Sequence, residues 1–360
     1  MKSLKLNFSQ LNKTKLVALC QDEIKTSTEQ WQLDIYTFIL EWLDENNQVK
    51  AKTSGSTGTP KDILLEKAKM KESARMTGEF FKFKKEDKAL LCLSPQFIAG
   101  KMMIVRAIVW QMNLICVKPD GHPLDKLNSD IDFAAMIPLQ VFNSIHKKGL
   151  AEKIKTILIG GGVVDKNLED KLDNIGTNFF SSFGMTETLS HVAIKTLNGP
   201  NKSDTYKALN GITFTTDDRV CLKIKAQKLL SKEIITNDIV KLISSSEFEW
   251  LGRYDHVINS AGVKLFPEKI EEKLSSYINK PFFLIGSPDE HLGEKMILLI
   301  ESNNNSEEQK KNFFAKIEPY LENFQLPREI IILPEFRRTL TGKIRRKATL
   351  ASFTENSSLS

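Results

Sequence analysis

Several stretches of this 360-residue chain concentrate side chains that can handle phosphate chemistry. Thr53-Ser54-Gly55-Ser56-Thr57-Gly58-Thr59-Pro60-Lys61 gathers hydroxyls, two glycines and a lysine in one short segment. Glycine lets the backbone approach a ligand, hydroxyls and free N–H groups suit phosphate oxygens, and lysine neutralises charge. A polar surface turn would share part of that composition. The spacing departs from a Walker loop, because Thr59-Pro60 separates the last glycine from Lys61 and no Ser or Thr follows it, so P-loop NTPase chemistry is disfavoured. Ser181-Ser182-Phe183-Gly184-Met185-Thr186-Glu187-Thr188 offers an aromatic face, a hydroxyl and a carboxylate in succession. Adenine packs on a flat apolar surface, and a hard divalent cation takes carboxylate and phosphate oxygens together. Alone, the stretch also reads as a capped helix start, and Gly160-Gly161-Gly162 upstream as a strand-to-helix turn. A basic run, Arg338 to Lys347, reads by default as a solvated tail.

The elements that must position these residues alternate short apolar runs with longer amphipathic ones, which predicts an α/β protein. Ala89–Leu93, Leu114–Val117 and Thr156–Ile159 read as buried strands ended by turn residues, and Lys61 to Phe83 reads as a helix. Near Leu251-Gly252-Arg253-Tyr254-Asp255 the elements become shorter and more polar. The expected organisation is therefore a large layered α/β N-terminal domain, residues 1–252, and a small α+β C-terminal domain, residues 253–360, joined by a linker at Gly252 to Asp255. The 51 Lys and Arg against 45 Asp and Glu leave a net charge of +6. Of this, +5 lies between Asn323 and Leu350, where Arg328, Arg337, Arg338, Lys343, Arg345, Arg346 and Lys347 face Glu329 and Glu335. That is a local site for anions, not the dense footprint of a nucleic-acid binder. Cys20, Cys92, Cys116 and Cys221 are too dispersed for a zinc site or disulfide framework. A polar N-terminus and the absence of a long apolar run predict a cytoplasmic protein that is neither exported nor inserted in a membrane.

In this order the motifs resemble those of the adenylate-forming superfamily, which comprises acyl-CoA synthetases, adenylation domains and firefly-type luciferases. The resemblance covers roughly Lys52 to Lys347. It implies that Thr53, Ser54, Gly55, Ser56, Thr57, Gly58 and Lys61 hold ATP phosphates, and that Gly160, Gly161 and Gly162 flank adenine with Ser182, Phe183, Gly184 and Met185. It implies that Thr186 contacts the α-phosphate, Glu187 holds Mg2+ and Asp238 binds the ribose. Asp238 sits in Thr236-Asn237-Asp238, where asparagine replaces the family's glycine, and asparagine tolerates left-handed turns well. Gly252 to Glu271 matches the hinge motif almost throughout, with Arg253 among the nucleotide-binding residues, Asp255 as hinge and Gly262 beside a pantetheine tunnel for CoA. Arg338-Thr339-Leu340-Thr341-Gly342-Lys343 is similar to the catalytic-lysine motif. A lysine on a mobile lid bridges the attacking carboxylate and the α-phosphate. Thr186, Glu187 and Lys343 are then the catalytic residues.

Within the superfamily, the short N-terminal part and Ser182 to His191 are similar to the o-succinylbenzoate-CoA ligases of menaquinone biosynthesis, whose substrate is an aromatic dicarboxylate. The second carboxylate should meet a basic or hydroxyl partner. Ser94-Pro95-Gln96-Phe97-Ile98-Ala99-Gly100 resembles the family's pocket-lining segment, with Phe97 where many members have histidine. Phe97, Gly100, Lys101, Arg106, Ser190 and His191 are thus the substrate-binding candidates. Lys101 and Arg106 read equally as a surface cation and a core-edge salt bridge, and His191 as a structural histidine. Another aryl- or acyl-CoA ligase, or an adenylation domain loading a carrier protein, remains open at this level.

Overall fold

The computed structural model describes residues 4–52, 62–125, 127–145, 153–339 and 344–357. Thr53, Ser54, Gly55, Ser56, Thr57, Gly58, Lys61 and Lys343 lie outside the described residues.

The chain begins with β1 (Leu4–Asn7), α1 (Lys13–Thr26), α2 (Gln30–Leu43), β2 (Gln48–Lys52), β3 (Asp62–Glu66), α3 (Lys67–Phe81), β4 (Lys88–Leu91) and α4 (Ile98–Val109). It continues through β5 (Asn113–Cys116), β6 (Ile131–Met136), α5 (Pro138–Ile145), β7 (Ile154–Ile159), α6 (Lys166–Leu172) and β8 (Asn178–Gly184). An all-β stretch follows: β9 (His191–Thr196), β10 (Tyr206–Ala208), β11 (Ile212–Thr216), β12 (Cys221–Ala226), β13 (Ile234–Ser244) and β14 (Glu247–Arg253). Among the described residues these strands, apart from β2 and β3, form one 12-stranded sheet in the order β1-β5-β4-β6-β7-β8-β9-β10-β14-β13-β12-β11. Its β5-β4-β6-β7-β8 segment is parallel.

Parallel strands covered on both faces carry continuous apolar runs, with alternate residues feeding opposite layers. Ala89, Leu91, Phe133 and Leu158 join the core made with the first four helices. Leu90, Ala134, Met136, Ile157 and Ile159 join a second core with Val141 of α5 and Leu168 and Leu172 of α6. Helix α4 is buried continuously from Gly100 to Ala107, as an apolar helix between layers must be.

The expected helix from Lys61 to Phe83 is instead a strand followed by a helix. Asp62–Glu66 pairs antiparallel with Gln48–Lys52, bringing Lys52 opposite Asp62. Leu65 is buried and Leu64 exposed, the period-two alternation of a half-buried strand. The hairpin packs Val49, Ala51 and Leu65 into the main core.

The remaining elements are β15 (Ile258–Ser260), β16 (Val263–Leu265), α7 (Pro267–Leu274), β17 (Phe282–Asp289), β18 (Gly293–Glu301), α8 (Glu307–Ile317), β19 (Glu329–Leu333) and α9 (Arg346–Ser357). They build a small α+β unit on a 5-stranded sheet, with β19 parallel to β18. Leu284, Leu298 and Ile330 pack on one face; Phe283, Ile297, Leu299 and Ile331 pack on the other. The stretch expected as a linker is the end of β14, paired with β13 through Arg253, and then a 3-10 turn over Tyr254–His256. Lys269 of α7 reaches Glu249 of β14 at 2.9 Å, so an ion pair ties the two parts together beyond the turn. All four cysteines are free and buried. Among the described residues no helix is long and apolar enough to cross a membrane.

Candidate functional site

The carboxyl ends of parallel strands are where an open α/β sheet leaves room for a ligand, and β7 and β8 end in the two glycine-containing motifs. Beyond β7, the Gly160 N–H donates to the Met136 carbonyl at 3.0 Å, and Gly161 takes φ +77, a left-handed conformation that glycine adopts without steric cost. The Ser182 hydroxyl donates to the Ile159 carbonyl at 3.0 Å and fills the space where a Gly160 Cβ would stand, 2.7 Å from Ser182 Oγ. The two motifs are thus in direct contact. The Phe183 ring packs edge-on against Tyr206 and Phe248, with centroids 5.8 and 5.1 Å away, so aromatic neighbours fix its orientation.

From Gly184 the chain enters a tight turn rather than a helix, which removes the helix-start reading. The Thr188 hydroxyl accepts the Met185 N–H at 2.9 Å and lies 2.6 Å from the Ser190 carbonyl. The Leu189 N–H closes on the Thr186 carbonyl at 2.9 Å, and Leu189 itself takes φ +67. This arrangement buries Thr186 and leaves Glu187 exposed. Gly184 pairs with His191 across β8 and β9 at a bulge. A Cβ at Gly184 would stand 2.2 Å from the Ser190 carbonyl oxygen and 2.5 Å from His191 Cα. Both are backbone atoms that cannot rotate away. Gly184→Ala is therefore expected to destabilise the protein by about 2 kcal/mol and to lower Tm by roughly 5 °C, measured by calorimetry; an unchanged Tm would contradict this packing.

On β13, Asp238 is buried. Its Oδ1 accepts the Trp250 indole N–H at 3.0 Å, and its Oδ2 lies 3.5 Å from Arg253 Nη1. Burial raises its pKa, and the facing Arg253 guanidinium opposes that rise. Arg253 also reaches Asp255 at 3.3 Å, where Asn237 Nδ2 donates to the same carboxylate. The asparagine that replaces glycine in the Thr-Asn-Asp segment thus contacts the residue expected to serve as hinge. Gly262, at φ +82, turns between β15 and β16, and a Cβ there would meet nothing within 4 Å.

The substrate candidates separate into two groups. Lys101 and Arg106 share α4, but Lys101 pairs with Glu41 at 3.4 Å and lies 4.1 Å over the Phe38 ring. Phe97 precedes the first turn of α4 and is half-buried. Gly100 is pressed onto the preceding turn, where a Cβ would come 2.3 Å from the Ser94 carbonyl oxygen.

Arg106 lies on a different face of α4 and is 2% exposed. Nη2 donates to Ser190 Oγ at 2.6 Å and stands 3.4 Å from His191 Nδ1; Nε donates to Thr77 Oγ1 at 3.4 Å, and Nη1 to Met103 Sδ at 3.6 Å. Every one of these partners is neutral or can be. Burial pushes the Arg106 pKa down to about 10, which leaves the group charged near neutral pH. The core-edge salt bridge expected as one reading of Arg106 has no carboxylate partner among the described residues. Its surroundings bring Arg106, Ser190 and His191 together with Thr77 of α3, which the sequence reading missed. A signal was present: Thr77 interrupts the apolar stripe formed by Met70 and Ala74. Because His191 pairs with Gly184, this cationic cluster adjoins the Thr186-Glu187 turn.

The family model for AMP-binding enzymes matches residues 52–220. An acyl-CoA synthetase (AMP-forming)/AMP-acid ligase II-like protein from Dyadobacter fermentans is 32% identical, with 98% of this chain and 99% of that chain covered at a TM-score of 0.64. The chain belongs to the AMP-binding, adenylate-forming enzymes. The 2-succinylbenzoate–CoA ligase of Lactococcus lactis is 25% identical over 324 residues, covering 84% of this chain and 71% of the relative. The O-succinylbenzoate coenzyme A synthetase of Bacillus subtilis, solved in complex with ATP and a magnesium ion, superposes with a TM-score of 0.72 at 18% identity, covering 96% of this chain and 83% of that one.

Proposed function

We propose that the protein is an ATP-dependent carboxylate–CoA ligase that makes o-succinylbenzoyl-CoA, AMP and pyrophosphate from o-succinylbenzoate, ATP and CoA, a cytoplasmic step in menaquinone biosynthesis. The observation that carries the choice of acid is Arg106, a buried cation with no ion-pair partner among the described residues, set beside the Thr186-Glu187 turn. A buried charge is costly unless paired, so the cluster favours a ligand that brings an anion. An acid activated through one carboxylate and held through a second supplies it. The 2-succinylbenzoate–CoA ligases among the relatives support the same reading.

A carboxylate is a poor acyl donor, because its charge repels nucleophiles and oxide is a very poor leaving group. In the first half-reaction one carboxylate oxygen attacks the α-phosphorus of ATP, the bond to the bridging oxygen breaks and pyrophosphate departs. Thr53, Ser54, Gly55, Ser56, Thr57, Gly58 and Lys61 hold the phosphates, Thr186 contacts the α-phosphate and Lys343 bridges the reacting groups, stabilising charge as it moves between them. Gly160, Gly161, Gly162, Ser182, Phe183, Gly184 and Met185 flank the adenine, while Asp238, accepting hydroxyl protons, and Arg253 hold the ribose side. Magnesium, when bound, neutralises charge on the leaving pyrophosphate. The residues fit such an ion: Glu187 is exposed and in no ion pair among the described residues. Among those residues no cluster of three metal-ligating side chains exists, as suits an ion held by one carboxylate and by phosphates. In the second half-reaction the CoA sulfur attacks the acyl carbon and AMP leaves. For this the lid, residues 253–360, turns about Asp255 to withdraw Lys343 and bring Gly262 beside the pantetheine arm.

Purified protein supplied with ATP, Mg2+, CoA and o-succinylbenzoate should release AMP and pyrophosphate in equal amounts. A strong preference for benzoate or fatty acids would overturn the choice of acid, and acyl transfer to a phosphopantetheinylated carrier protein in preference to CoA would overturn the choice of acceptor.

A further inference from the structure

The proton arrangement around Arg106 can be read from its neighbours, and it gives His191 a specific task. A hydroxyl has one proton to donate and two lone pairs to offer. The Thr77 hydroxyl donates its proton to the Ser73 carbonyl at 2.9 Å, one turn back on α3. Thr77 Oγ1 can therefore only accept from its other neighbours, Arg106 Nε at 3.4 Å and His191 Nε2 at 3.2 Å. With the Thr77 proton directed to Ser73, the hydrogen bond to His191 forms only when Nε2 carries a proton. If the ring is neutral, Nδ1 is then a bare acceptor, and it faces Arg106 Nη2 at 3.4 Å and Ser190 Oγ at 3.3 Å. A protonated ring would point an N–H at a guanidinium and add a second cation where no carboxylate answers the first. Burial and the Arg106 charge both hold the His191 pKa well below its ordinary value.

We propose that His191 is a positioning residue for recognition of the substrate's second carboxylate: Thr77 fixes it as the neutral Nε2–H tautomer, and its Nδ1 lone pair aims the Arg106 guanidinium. This deepens the reading of the site as one for a dicarboxylate and rests on it. The choice of a neutral acceptor matters. An aspartate or glutamate at position 191 would orient the arginine equally well, but it would cancel the charge and occupy the place of the incoming anion. Imidazole, hydroxyl and thioether hold the guanidinium on several sides and leave its charge uncompensated. One Nη1–H still lacks a partner among the described contacts. When a carboxylate binds, the Ser190 hydroxyl is free to turn its proton from Nδ1 to the ligand, while Nδ1 keeps its hold on Nη2.

The test has one arm that needs no substrate. In protein labelled with 15N at histidine, the His191 ring is expected to show the neutral Nε2–H tautomer at pH 7; an imidazolium or an Nδ1–H tautomer would overturn the proposal. The second arm compares His191→Asn, whose amide oxygen can stand near the Nδ1 position, with His191→Leu, which keeps bulk and loses both hydrogen bonds. H191L is expected to raise KM for o-succinylbenzoate about tenfold or more, with KM for ATP and activity on a monocarboxylate analogue changed by less than about threefold. H191N is expected to recover most of that loss. Equal losses in the two variants, or an equal rise in KM for ATP, would mean that His191 only fills space. Should the wild-type enzyme prefer a monocarboxylate, the substrate assignment falls, while the tautomer measurement still decides how His191 and Arg106 are arranged.

Discussion

Replacing Lys343 by alanine is expected to reduce acyl-adenylate formation by a factor on the order of 10² to 10³ while leaving thioester formation from supplied acyl-adenylate within about threefold of wild type. The asymmetry follows from where charge moves. In the first half-reaction a carboxylate and a phosphate, both negative, must approach, and an ammonium between them lowers the repulsion most in the transition state. In the second, a thiol meets an acyl-adenylate whose carbonyl is already activated, and the proposed rotation of residues 253–360 would have withdrawn the lysine. The described residues flanking Lys343 are firmly held. Arg338 and Ile344 form an isolated β-bridge, and the Arg345 N–H donates to the Arg337 carbonyl at 2.8 Å. Arg346 grips both oxygens of Glu271 at 2.7 Å and donates to the Leu284 carbonyl at 3.0 Å. Alanine at 343 should leave those ties intact, so Tm is expected to stay within a degree or two. Pyrophosphate release with ATP and acid alone, set against thioester formation from synthetic adenylate and CoA, separates the two steps. Equal loss in both would remove Lys343 from its assigned role.

The family was legible because its motifs are contiguous: a few adjacent residues carry both a candidate chemistry and a turn, as at Gly184 to Leu189. The change in element length near Leu251 made the passage from the 12-stranded sheet to the small α+β unit legible. What the sequence could not convey was contact between distant segments. Lys101 and Arg106 are five residues apart on one helix, roughly 140° around its axis, and nothing local says which cation meets a carboxylate. Glu41 answers that for Lys101, from a helix some sixty positions earlier. Thr77 and His191 meet across 114 positions, a separation no periodicity can report. Arg346 was read as part of a solvated tail. Its side chain is 15% exposed and sits against two carboxylates on α7, because α9 packs its first turn onto the small sheet. The run after Lys61 looked helical because lysines and glutamates among apolar residues favour that pattern. Pairing with Gln48–Lys52 overrides the local preference through Glu66.

Arg106→Met should produce the other large effect, and its signature is opposite changes in function and stability. In the wild-type protein the guanidinium is buried, keeps its charge near neutral pH and meets only neutral acceptors. Removing one member of a buried, hydrogen-bonded charge pair costs about 2–5 kcal/mol. If the second member is the substrate carboxylate, kcat/KM for o-succinylbenzoate should fall by roughly 10² to 10³, mostly through KM. Activity on analogues lacking one carboxyl group should change little, because they do not engage the cluster. The free protein, by contrast, loses an unpaired cation from its core. Even a complete buried ion pair is often replaced by well-packed apolar residues at no cost or with a gain of about 1–4 kcal/mol, and an unpaired cation has no Coulomb attraction to lose, so Tm without ligand is expected to hold or rise. Arg106→Lys should not restore the dicarboxylate, since an ammonium is a point charge without the planar fork that meets two carboxylate oxygens and holds Ser190 and His191 at the same time. Ligand protection provides an independent readout: o-succinylbenzoate should raise the Tm of the wild-type protein and fail to do so in Arg106→Met. A lower Tm in the free variant, with dicarboxylates and monocarboxylates losing activity alike, would show that Arg106 is a structural core residue, and the assignment of a dicarboxylate substrate would lose the observation on which it stands.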